Sequence, residues 1–150
     1  MGILGVLFGK KNRKSDRSDP IKRLERIEEG QRKYGNYLDV PAKVKKLKAK
    51  GNNKKAISLL LTAVELVEAE SEYIGGDWGV APWYYEQLAI IYRKEKNYSA
   101  EVNILERYAK QTKAVGKGPE KLADRLVKAK ALRRKMHNKR LQLDKGLPSV

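Results

Sequence analysis

At 150 residues the chain has room for one ordinary domain with tails, and 41% apolar residues are enough for a core. Its charge is the outlier: 34 Lys and Arg against 18 Asp and Glu, net +16, which points to polyanionic partners or to a heavily solvated helical surface. The absence of Cys excludes disulfides, a thiol nucleophile and a thiolate metal site and fits a cytoplasmic protein, and no run approaches the roughly 18 apolar residues of a membrane span.

In chain order, Ile3, Leu4, Val6, Leu7 and Phe8 precede Lys10 and Lys11, the reverse of a secretory signal, and Val6 breaks the myristoylation pattern that Gly2 opens. Residues 1–19 read as a flexible basic segment. A helix is expected from Asp19-Pro20, with Ile21, Leu24 and Ile27 on one face and Gly30 or Gly35 as its end. Another is expected from Asp39, Val40 and Pro41 through Val44 and Leu47 to the Gly51-Asn52-Asn53 break. Ala56, Leu60, Val64 and Val67 then mark a broad apolar face.

Residues 70–80 read as an inserted loop around Gly75, Gly76 and Gly79. Pro82 restarts a helix to about Lys94, Asn97 marks a turn, and Val102, Leu105 and Tyr108 carry the next face. After Gly116-Lys117-Gly118-Pro119 a last helix is expected over residues 119–140, with Leu122, Leu126, Ala129, Leu132 and Met136 aligned. Residues 141–150 read as a flexible tail. No segment alternates with period two, so the fold class is all-α.

Two helix pairs, about residues 38–68 and 82–112, superimpose at an offset of 45. Gly51-Asn52-Asn53 falls on Lys96-Asn97-Tyr98, Leu47 on Tyr92, Leu60 on Leu105 and Ala63 on Tyr108. Leu88, Ala89 and Tyr92 present a large, a small and an aromatic residue; Gly51, Ala56, Leu60 and Ala63 supply the turn glycine and a small-large-small series. The pattern resembles the tetratricopeptide repeat and also looks like bacterial helical-repeat proteins. It departs from the family's period of about 34, places Lys96 at the turn glycine, and leaves Glu101 at a small position. The resemblance implies antiparallel helix pairs in a short superhelix over residues 20–140, with helix 119–140 as a C-terminal cap. It also implies a groove lined by the first helix of each pair: Lys45 and Lys48 in one unit, and Trp83, Glu86, Ile90, Arg93 and Lys94 in the other. Pro41 fills a further groove position. Trp83 and Tyr84 would supply rigid contact area, with burial of Trp83 or Tyr85 in the inter-helix core as the competing reading.

Chemistry-bearing groups are sparse. The lone His137 lies in a basic run, no metal set is visible, and Glu65, Glu68, Glu70 and Glu72 read as carboxylates balancing basic neighbours. The Gly75–Gly79 loop lacks dinucleotide spacing and follows a helix. Seven Lys and no acid lie in residues 41–56, and 13 Lys or Arg lie in residues 110–145. Lys121, Arg125, Lys128, Lys135 and Lys139 share one face of the last helix, a stripe of about 27 Å that can track phosphates or serve as a solvated outer face. The leading expectation is a non-enzymatic interaction module, without cofactor or metal, that holds an acidic peptide or protein surface. The alternatives are a nucleic-acid-binding helical protein and a membrane-surface adaptor anchored through residues 1–14.

Overall fold

Three of the helices begin where a side chain satisfies a free backbone amide. In the computed structural model, which describes residues 19–76, 78–146 and 148, Asp19 accepts from the Ile21 amide at 3.0 Å and opens α1 (Pro20–Tyr34). This helix runs through Gly30 to a cap at Gly35, and a 3-10 turn (Gly35–Tyr37) leads toward α2 (Val40–Ala49). Asp39 does not cap α2 with its side chain; its carboxylate pairs instead with Lys43, one turn on. Then follow α3 (Asn53–Ile74), α4 (Pro82–Lys94), α5 (Tyr98–Ala109) and α6 (Gly118–Asp144). Among the described residues the fold is all-α, with one isolated parallel bridge, Val80 to Lys113, and no helix long and apolar enough to cross a membrane. The apolar N-terminal anchor expected over residues 1–14 lies outside the described residues.

The two turns at the 45-residue offset are built alike. Gly51 holds φ 69° and Lys96 holds φ 59°. In the first turn the Asn52 amide reaches the Leu47 carbonyl at 2.9 Å; in the second the Asn97 amide reaches the Tyr92 carbonyl at 2.8 Å. Asn52 then caps α3 by accepting from the Lys55 amide, and Asn97 caps α5 by accepting from the Ala100 amide, both at 3.2 Å. Equivalent side chains share a fate: Val44 and Ala89, Leu60 and Leu105, and Ala63 and Tyr108 are all buried, while Leu47 and Tyr92 are half-buried against the same core. Successive helices from α2 to α6 pack on one another, and α1 packs on α3.

Three features differ from the sequence reading. First, α3 extends to Ile74, so the first five residues of the expected loop, 70–74, are helix with Glu70, Ser71 and Ile74 buried, and the connection to α4 is correspondingly shorter. That connection is stitched to the one after α5. The Val80 amide donates to the Thr112 carbonyl at 3.0 Å, and a Cβ on Gly79 would lie 2.4 Å from backbone atoms of Lys113 and Ala114. Second, α6 starts at Gly118 and runs to Asp144, past the expected end at 140, though it fully buries only Leu122 and Ala129. Third, α1 buries Ile27 and Gly30 but leaves Ile21 and Leu24 exposed. Its contact with α3 is made near Gly30, where a Cβ would meet the Ile74 side chain at 3.0 Å.

Candidate functional site

Between α2 and α4, Pro41, Val44, Lys45, Lys48, Trp83 and Gln87 line a groove of about 470 Å³. Helical geometry assembles it: Pro41, Val44, Lys45 and Lys48 recur at three- and four-residue spacing on α2, as Trp83 and Gln87 do on α4. Lys48 Nζ donates to Gln87 Oε1 at 2.9 Å across the groove. The half-buried Trp83 ring stands edge-on to Tyr84 at 5.2 Å, and Tyr84 stands edge-on to Tyr37 at 5.6 Å. The Tyr84 hydroxyl donates to the Tyr37 carbonyl at 3.2 Å, while the Tyr37 hydroxyl donates to the buried Glu70. Burial first, and Glu70 second, push the Tyr37 hydroxyl well above the usual tyrosine range, so it remains a neutral donor. The indole is thereby braced by a chain of contacts that reaches α3. Tyr84 itself is buried, so it serves as this brace and not as the contact surface expected for it; Tyr85 is buried outright.

Of the expected groove residues, Pro41, Lys45, Lys48 and Trp83 line this groove, whereas Glu86, Ile90, Arg93 and Lys94 do not. Glu86 pairs with Lys121 of α6 at 2.6 Å, Ile90 is half-buried, and Lys94 is exposed at the far end of α4. Arg93 is drawn away by Glu101, which is fully buried at the position equivalent to Ala56. Arg93 Nε donates to Glu101 Oε2 at 2.6 Å. Arg125 Nε lies 3.3 Å from Glu101 Oε1, outside hydrogen-bonding geometry, and so contributes a Coulombic contact. A carboxylate in a small residue's place needs this neutralisation, which takes Arg93 out of the groove. Gln87 was missed from the sequence, although it lies one turn from Trp83 on the same face.

The expected phosphate stripe divides in two. Toward its N-terminal end Lys121 pairs with Glu86, Arg125 with Glu101, and Lys128 with Asp124 at 2.8 Å. Lys135 and Lys139 are exposed. Arg125 is a protein-facing residue and does not belong to a solvent stripe, because Glu101 holds it against α5.

Two carboxylates near the end of α3, Glu68 and Glu70, are structural ties, while Glu65 and Glu72 are exposed. Glu68 accepts from Arg107 Nε at 2.8 Å and Nη2 at 2.7 Å, and from the Tyr85 hydroxyl at 2.8 Å, joining α3, α4 and α5. No group of His, Asp and Glu suited to a metal ion occurs among the described residues, and His137 stands exposed on α6. Compared with family models, curated proteins and solved structures, the chain matches none.

Proposed function

We propose that the chain is a non-enzymatic interaction module with tetratricopeptide-like architecture, in which the pairs α2–α3 and α4–α5 run antiparallel in a short superhelix capped by α6. The repeated turn at Gly51 and Lys96, with its paired Asn caps, supports the two-unit reading. The function is to hold an acidic protein segment in the groove between the first helices of the two units. The observation that carries this is the joining of Lys45, Lys48 and Trp83 around one groove, with the indole braced through Tyr84 and Tyr37. Two cations set encounter and register for an acidic ligand, and a rigid aromatic wall supplies contact area at low entropic cost.

The test is a peptide library rich in Asp and Glu, read by indole emission in a Trp78→Phe background, where Trp83 is the remaining tryptophan. Selected peptides should shift the emission. Lys45→Glu with Lys48→Glu should weaken them by at least about tenfold without lowering the melting temperature. Arg93 is left intact, since reversing it would disturb the buried Glu101 and confuse binding with folding. Selected peptides indifferent to both Lys reversals and to Trp83→Ala would remove the groove from consideration.

A further inference from the structure

Between residues 130 and 140 the chain carries six Lys or Arg and no Asp or Glu. These residues lie on the C-terminal half of α6, beyond Ala129, where no side chain is fully buried. Lys130, Arg133, Arg134, His137 and Arg140 recur at three- and four-residue intervals and so face one way. They face the turn into α5, and the two together enclose a trough of about 950 Å³, with Lys96 and Tyr98 on the opposite wall. Among the described residues one acid lines it, Glu106, already paired with Lys130 at 3.0 Å. Lys130 first, then Arg133 and Lys110, hold the Glu106 carboxyl below its usual range, so that pair stays ionised and self-neutralised.

Lys96, Arg133, Arg134 and Arg140 remain, and none of them forms an ion pair among the described residues. Packing does not account for this arrangement, because converging like charges raise the energy of the folded chain. A bound polyanion reverses that sign. Guanidinium groups match phosphate oxygens two at a time. From Arg133 to Arg140 the helix rises about 10 Å, enough to follow more than one phosphate of a strand. Tyr98, half-buried, contributes an aromatic side chain to the far wall. A concave trough with an aromatic wall accepts bases splayed from a single strand, whereas duplex bases are stacked inward.

We propose that this trough binds single-stranded nucleic acid, with Arg133, Arg134 and Arg140 on the phosphates and Tyr98 against a base. The site is separate from the α2–α4 groove and shares no residue with it.

The test is fluorescence anisotropy of the full chain with a labelled oligothymidylate of about twelve nucleotides. Joint Arg133→Gln, Arg134→Gln and Arg140→Gln substitution should weaken binding at least about tenfold. It should also flatten the log affinity against log salt slope by about 2, the loss expected for three single-strand phosphate contacts. Tyr98→Leu should weaken binding about fivefold or more with the slope unchanged, because stacking releases no counterions. Joint Lys46→Gln, Lys54→Gln and Lys55→Gln removes the same charge from exposed positions on α2 and α3, and should leave affinity within about twofold. Arg134 and Arg140 are exposed, so if Arg133→Gln lowers the melting temperature the double variant carries the same test. Equal losses in the two charge triples would reduce the binding to net charge and overturn the proposal. So would a duplex of equal length binding as tightly as the strand. Arginine-dependent binding to phosphatidylserine vesicles without oligonucleotide binding would assign the trough to lipid headgroups and also overturn it.

Discussion

Lys96 holds a left-handed backbone conformation that an L side chain with a Cβ adopts at a cost of about 1–2 kcal/mol. Gly51 solves the same turn without that cost, with the same pair of backbone hydrogen bonds. Lys96→Gly should therefore stabilise the chain by about 1 kcal/mol, since relief of the Cβ clash outweighs the added freedom of the unfolded glycine. Urea denaturation would show it as a raised midpoint with unchanged slope. A midpoint that stays or falls would mean that the Lys96 side chain makes a compensating contribution. The turn was legible from sequence because Asn52 and Asn97 cap helices by short-range chemistry. The backbone conformation of Lys96 was legible only by analogy with Gly51, as nothing in Lys itself announces a positive φ.

Helices α4, α5 and α6 meet at Glu101, and the cost of burying that carboxylate ties the three together. Its side chain is 0% exposed, whereas those of Arg93 and Arg125 are 36% and 24% exposed. Losing one arginine leaves a dry carboxylate with an imperfectly aligned partner, so Arg93→Met should cost about 2 kcal/mol, below the 3–5 of a fully buried pair. In a Glu101→Ala background, which copies Ala56, the same Arg93→Met change should cost less than about 0.5 kcal/mol. A double-mutant cycle read by thermal or urea unfolding should thus give a coupling of at least about 1 kcal/mol. Additive losses would show that Arg93 acts through packing of its stem alone. This junction was hidden for a physical reason: spacing puts Glu101 on the face of Leu105 and Tyr108, at a small position of the repeat, but the partners that neutralise a carboxylate there belong to two other helices. The end of α3 was hidden likewise. Glu70 and Ser71 look like loop residues, yet the Tyr37 hydroxyl satisfies Glu70 from 33 positions away. Leu60, Leu105 and Ala89 were legible because apolar spacing alone places them.

Among the described residues, charge on α6 divides between ion pairs that hold the fold together and cations, such as Arg134 and Arg140, that form no ion pair. The first 13 residues of α6 pack through Leu122 and Ala129 and pair through Lys121, Arg125 and Lys130, whereas its remainder extends with only Leu132, Arg133 and Met136 half-buried. Ending the chain after Lys130 removes six Lys or Arg and one Asp. It forfeits about 1–2 kcal/mol of partial apolar burial, and part of that loss returns as relief of self-repulsion. At about 2–4 °C per kcal/mol for a chain of this size, the melting temperature should fall by less than about 5 °C, with the transition still cooperative. Its dependence on salt should shrink as well, because fewer unpaired cations remain to be screened. A fall beyond about 10 °C, or loss of cooperativity, would mean that the distal half of α6 is part of the folding unit. The shortened chain also separates the two proposed sites. It retains Lys45, Lys48 and Trp83 and should bind a selected acidic peptide unchanged, but it lacks three of the trough's arginines and should lose the oligonucleotide. Loss of both ligands together would show that one diffuse cationic surface, and not two built sites, accounts for the binding.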